Sequence, residues 1–210
     1  MIDDLADLIK KGKEKQQEEK RKNSHLNYIN YIGLLIQAKI ETQLSIELKE
    51  VVKVLKSEDD ADLTTKDEQN GQDFIIYKNK KAIYYLEVKS KWDDNGRFAL
   101  SKNQTEKCAE KKDAYAVISV NVDRYRKKHA VANEDILFED LRDFIKVNDN
   151  LGDYFEKLVS VNITKTESND PKLIEYRGSI PQKMIDDEGL EFDAFIQDLI
   201  YKIITTQVLQ

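Results

Sequence analysis

Two apolar runs joined by a short polar spacer constrain this chain more than anything else in it. Gln72-Asp73-Phe74-Ile75-Ile76-Tyr77 comes first, and Ala82-Ile83-Tyr84-Tyr85-Leu86-Glu87-Val88-Lys89 follows the spacer Asn79-Lys80-Lys81. β-Branched and aromatic residues dominate both runs, which predicts a β-hairpin. Side chains alternate along a strand, so Glu87 and Lys89 share one face while Leu86 and Val88 share the other. Antiparallel pairing through the turn brings Asp73 to the same edge of the sheet. Two carboxylates and an ammonium then converge on one point.

Such a set suits a hard divalent cation. Mg²⁺ takes oxygen ligands, keeps several waters, and is commonly held by one or two carboxylates plus a substrate phosphate. Asp73 and Glu87 supply the carboxylates, and the backbone carbonyl of Val88 is a further candidate oxygen. Lys89 is placed to orient or deprotonate an attacking water, or to stabilise a phosphorus-centred transition state. The plain alternative is chance, because an E-x-K triplet arises readily in a chain that is 35% charged.

The residues downstream argue against chance. Phe98-Ala99-Leu100 leads to Ser101, a good helix N-cap, and a helical pattern follows through Thr105 to Lys112. Gln104 falls in its first turn, with Cys108 four residues on along the same face. Tyr115-Ala116-Val117-Ile118-Ser119-Val120 reads as a buried strand. The order is therefore strand with Asp, strand with Glu-x-Lys, helix opening with Gln, then strand.

With these residues the chain resembles the PD-(D/E)XK nuclease superfamily, and most closely the domain type found at the C-terminus of NO VEIN and at the end of sacsin-like ATPase proteins. The resemblance covers roughly Leu26 to Val122. It implies an α/β fold with a restriction-endonuclease-like core, a mixed central sheet flanked by helices. It implies that Asp73 and Glu87 bind Mg²⁺ or Mn²⁺, that Lys89 is the catalytic lysine, and that Gln104 works beside them. A further metal-binding carboxylate on the first helix corresponds best to Glu41, with Glu47 the competitor. Gln72 stands where the family name has proline.

Composition bounds the rest. Two prolines and seven glycines in 210 residues exclude a loop-rich or fibrous chain. Nothing approaches the ~20 apolar residues of a membrane span. The lone Cys108 gives no disulfide framework and predicts a reducing, cytoplasmic setting. A net charge of −6 works against tight, indiscriminate nucleic-acid binding. Local lysine and arginine clusters nevertheless nominate Lys91, Lys102, Arg124, Arg126 and Lys127 as phosphate contacts. The alternative is that these residues only solvate a strand edge and a helix face. Trp92 either stacks on a base or covers the hairpin.

Three regions are expected. Residues 1–23 form a charged helical arm, read as the tail of an upstream domain of the same polypeptide. Residues 24–130 hold the nuclease-like core, opening with a helix from Leu26 to Lys49 capped at Asn23-Ser24. Val51 to Leu55 continues it or forms a short strand, and residues 57–70 read as a loop. Residues 131–210 form an α+β accessory region. It has helices over 133–147 and 151–161, a strand over Leu173–Ile180 and a final helix over Phe192–Ile204. The first functional reading is a metal-dependent endonuclease acting on nucleic acid, DNA foremost, as the effector domain of a larger defence or DNA-processing protein. The second is an inactive module of the same fold that binds nucleic acid or protein. The third is an oligomerisation domain that pairs through its C-terminal helix.

Overall fold

A 54-residue helix, α1 (Ile2–Leu55), opens the chain in the computed structural model, which describes residues 2–55, 63–67, 72–93, 96–129, 136–166 and 177–205. The helix runs unbroken through Asn23-Ser24, where the sequence predicts a cap. Asn and Ser in a helix interior cost only tenths of a kcal/mol, and no proline interrupts this segment, so nothing compels a break. Val51 to Leu55 is helical too. Two units divide the chain, Met1–Ala38 and Lys39–Gln210. In the second unit, α1 buries Ile40, Leu44, Leu48 and Val51, an apolar stripe of helical period.

The rest of the second unit is α/β, a mixed sheet flanked by helices. The hairpin forms as predicted from β2 (Phe74–Lys78) and β3 (Lys81–Lys91). Its turn residues Asn79 and Lys80 take positive φ of 50° and 65°, the twist that a tight hairpin turn requires. β1 (Leu63–Asp67) pairs antiparallel with β2, inside the segment the sequence reads as loop. β4 (Arg97–Leu100) and α2 (Lys102–Lys111) lead to β5 (Tyr115–Asn121), which lies parallel to β3 and is buried along its whole length.

α3 (Val122–Lys128) and the short α4 (Phe138–Leu141) precede β6 (Ile145–Asn148), antiparallel to β5. Phe144 and Ile145 read as helical in the sequence; Phe144 ends a 3₁₀ turn, and Ile145 enters a strand. The open side of β5 selects that strand, because a short apolar run has no strong preference of its own. α5 (Gly152–Thr166), β7 (Gly178–Pro181), α6 (Gln182–Glu188), β8 (Leu190–Glu191) and α7 (Phe192–Thr205) complete the unit. Of the predicted strand over Leu173–Ile180, Gly178 to Ile180 belong to β7, and residues 173–176 lie outside the described residues. The main sheet runs β1-β2-β3-β5-β6-β8, and β4 pairs with β7 in a second, two-stranded sheet.

The two faces of the main sheet differ in chemistry. Register places Tyr84 and Leu86 of β3 with Ala116, Ile118 and Val120 of β5 on one face. There the Tyr84 ring lies 6.2 Å from that of Phe195 on α7. Glu87, Lys89 and Lys91 share the other face with Tyr115, Val117, Ser119 and Asn121. A core of Phe98, Leu100, Cys108, Tyr115, Val117, Phe155 and Ile180 packs on this second face. β2 pairs with β3 only as far as Leu86, so the Glu87–Lys91 half of β3 is bonded to β5 alone.

Candidate metal centre

Asp73 sits where β2 parts from β3. Its amide donates to the Leu86 carbonyl at 2.8 Å, which ties Asp73 to the strand position that Phe74 already faces, one residue before Glu87. Its Oδ2 accepts the Val88 amide at 2.7 Å. That bond fixes the carboxylate across the gap that opens as the strands diverge. Val88 thus enters the site first through its N–H.

Glu87 is only 1% exposed. Its Oε1 accepts from Lys89 Nζ at 2.6 Å and from Gln104 Nε2 at 2.5 Å. Its Oε2 is buried and has no hydrogen-bond partner. A buried carboxylate oxygen left unpaired costs several kcal/mol unless something electropositive meets it. Burial, and after it the Asp73 charge, push the Glu87 carboxyl up to about 7, against the opposing pull of Lys89 and Gln104. Neither partner offsets the desolvation, so the carboxyl lacks cationic charge.

Gln104 is held by local helix chemistry. Ser101 caps α2: its Oγ accepts from the Gln104 amide, while Gln104 Oε1 accepts the Ser101 amide at 2.8 Å. This capping box leaves Nε2 pointed at Glu87. The helix begins at Lys102, directly after Ser101, the cap that the sequence predicts.

The donors fit a divalent cation of the Mg²⁺ or Mn²⁺ kind. Two carboxylates, one with an orphaned buried oxygen, are what such an ion needs beside water and phosphate. The expected third carboxylate is absent: among the described residues no group of three or more His, Cys, Asp or Glu side chains converges. Glu41 is half-buried beside the apolar stripe of α1, and Glu47 accepts from Gln43 Nε2 at 2.8 Å one turn away on the same helix. Neither completes the Asp73–Glu87 pair.

The five predicted phosphate contacts separate. Lys91 is 5% exposed, and its Nζ donates to Gln182 Oε1 at 2.6 Å and to the Gly96 carbonyl at 3.0 Å. It is an internal tie between β3 and α6, which corrects its assignment to phosphate. Lys102, Arg124, Arg126 and Lys127 are exposed. Arg124 pairs with Asp186, Lys127 with Asp123, and Lys102 lies 3.8 Å from Glu106. The Arg126 guanidinium lies 5.4 Å over the Trp92 ring, so Trp92 has a packing partner within the fold.

Ser119 and Asn148 escape sequence reasoning. Both are buried on the face that carries Glu87, and neither side chain has a hydrogen-bond partner. The available signal is a hydroxyl at an alternate position of an otherwise apolar strand, Tyr115-Ala-Val-Ile-Ser-Val. Among the described residues no helix is long and apolar enough to cross a membrane. No curated protein and no solved structure matches the chain. A family model described as "Protein NO VEIN, C-terminal" matches residues 40–132, a span that takes in β1 to α3 and contains Asp73, Glu87, Lys89 and Gln104.

Proposed function

We propose that this chain is a metal-dependent nuclease of the PD-(D/E)XK kind that hydrolyses phosphodiester bonds in nucleic acid, DNA foremost. One observation carries the reading: Glu87 is buried with an unpartnered Oε2 while its Oε1 is gripped by Lys89 and Gln104. A purely structural carboxylate at that position would be costly, whereas a metal ligand is satisfied when loaded. A bound Mg²⁺ or Mn²⁺ supplies positive charge to the phosphate as negative charge develops in the transition state.

The chain's own residues do the rest. Asp73, fixed by the Val88 amide, and Glu87 present the carboxylate oxygens. Gln104 holds Glu87 in one rotamer. Lys89 is aimed by Glu87 and is the group that orients the attacking water. Water attacks phosphorus, and the displaced oxygen leaves as a free hydroxyl on the other fragment. The setting that fits is an effector domain of a larger defence or DNA-processing protein, joined through α1 to an upstream domain.

A second reading is a binding module of the same fold without cleavage. The carboxylate partners of Arg124 and Lys127, together with the net charge of −6, favour it by lowering the attraction for phosphate. Plasmid and single-stranded DNA incubated with Mg²⁺ or Mn²⁺ separate the two readings, with EDTA and Asp73→Ala as controls. Metal-dependent cutting lost in the variant supports the nuclease; no cutting by the chain under any of these conditions leaves the binding module.

A further inference from the structure

A second polar site lies on the same sheet face, one strand along from Lys89. Register sets Lys89 of β3 beside Ser119 of β5, Ser119 beside Lys146 of β6, and Lys146 beside Glu191 of β8. Adjacent strands lie ~4.8 Å apart, so Ser119 and Lys146 stand about 5 and 10 Å from Lys89 along one row. Ser119 and Lys146 line a cavity of about 50 Å³ together with Asn121, Arg124 and Gln182. Ser119 is 2% exposed and its hydroxyl has no partner.

Size and charge identify what the cavity takes. A ring the size of benzene needs about 150 Å³, so a nucleobase does not fit, whereas a few waters or one tetrahedral anion do. Both cations at the cavity are paired with carboxylates in the free protein: Lys146 with the exposed Glu191, and Arg124 with the half-buried Asp186, which also lines the cavity and accepts from Gln182. An exposed lysine–carboxylate pair such as Lys146–Glu191 is worth only about 0–1 kcal/mol, so an incoming anion displaces it at little cost, while Arg124 stays on Asp186. Asp143 on the rim is exposed and turned toward Lys128, at 3.7 Å. A phosphate would gain the Lys146 ammonium and satisfy the orphaned Ser119 hydroxyl with a charge-assisted hydrogen bond.

We propose that this cavity binds the phosphate of a polynucleotide strand next to the one at Asp73, Glu87 and Lys89, with Ser119 and Lys146 as its donors. The inference rests on the nuclease reading for its choice of ligand. The row then acts as a track along which one strand crosses the sheet, and the site contributes to positioning rather than to bond cleavage.

The test is binding in EDTA, where no cutting occurs. Labelled duplex and single-stranded oligonucleotides are titrated by fluorescence anisotropy against the full chain, Ser119→Val and Lys146→Gln, across a salt series. Inorganic phosphate is titrated separately, with the backbone amide NMR signals of residues 119 and 146 as readout. Ser119→Val should bind oligonucleotide about tenfold more weakly, the scale of one hydrogen bond to a charged group. It should melt no lower than the parent, since it removes an unsatisfied hydroxyl. Lys146→Gln should flatten the log affinity against log salt slope by about 0.7–0.9, one phosphate contact. Parental affinity and slope in both variants would overturn the proposal. So would a response of these amides to inorganic phosphate with oligonucleotide binding unchanged, which would mark a free-phosphate site. The plasmid assay tests cleavage separately, so loss of the nuclease reading leaves this binding result interpretable.

Discussion

Gln104 donates its side-chain amide to Glu87 Oε1 at 2.5 Å, linking the first turn of α2 to the middle of β3. The other end of the same amide accepts the Ser101 N–H, so one residue both starts a helix and orients a buried carboxylate. Gln104→Ala should therefore lose a cap and a site contact together, lowering stability by about 1–2 kcal/mol. Gln104→Glu keeps the acceptor for Ser101 but sets a second carboxylate against Glu87. Urea unfolding should show a larger cost for Gln104→Glu at pH 8 than at pH 5. Equal costs at the two pH values would mean that the contact with Glu87 is unimportant.

Lys89→Ala removes the cation nearest Glu87 and the group assigned to the attacking water. Single-turnover cleavage should slow about 10²–10⁴-fold, while circular dichroism and oligonucleotide affinity stay near parental values. Cutting at the parental rate would show that Lys89 has no part in the chemistry.

The folded protein holds the Glu87 carboxyl up at about 7, above its ordinary value of 4.5. Between those values the folded state binds more protons than the unfolded chain. This group therefore makes metal-free protein less stable as pH rises from about 4.5 through 7. Glu87→Gln should flatten that part of the urea-midpoint profile. Mg²⁺ requires the ionised carboxylate, so its stabilising effect should be larger at pH 8 than at pH 6. A metal effect independent of pH would argue against Glu87 as a ligand.

Thr105 joins α2 to β7. Its hydroxyl donates to the Ser101 carbonyl at 2.8 Å and accepts the buried Gly178 amide at 2.9 Å. Thr105→Val leaves that amide without its partner and should cost about 1–3 kcal/mol in chemical denaturation; Thr105→Ser should recover most of it.

Burial pushes the Cys108 thiol up to about 12. A neutral, inaccessible thiol does not react with disulfide reagents, so labelling at pH 8 should be negligible until the protein unfolds. Fast labelling of folded protein would show that the core beneath α2 opens.

Much of the site is legible in the sequence because local rules specify it. Alternation along β3 fixes which face Glu87 and Lys89 share, the Asn79-Lys80 turn fixes the hairpin, and Ser101 fixes the helix start that places Gln104. Glu41 and Lys91 were harder to read. A carboxylate next to an apolar stripe looks the same whether it meets a metal or solvent. A lysine after an E-x-K strand looks like a phosphate contact until Gln182, 91 residues away, takes its ammonium. β1 and β6 escaped for a related reason: Leu63-Thr-Thr-Lys-Asp and Ile145-Lys-Val-Asn have weak preferences, and sheet edges recruited them.

The sequence by itself determined the hairpin, the capped helix and the identity of the three central groups, since period, turn and cap chemistry act over a few residues. Tertiary structure alone decided that Glu87 Oε2 is left unpaired, that Lys91 is internal, and that Ser119 and Lys146 fall in register with Lys89. Those outcomes depend on strand order and on partners distant in the chain, and burial raises their energetic stakes by removing the water that would satisfy any arrangement.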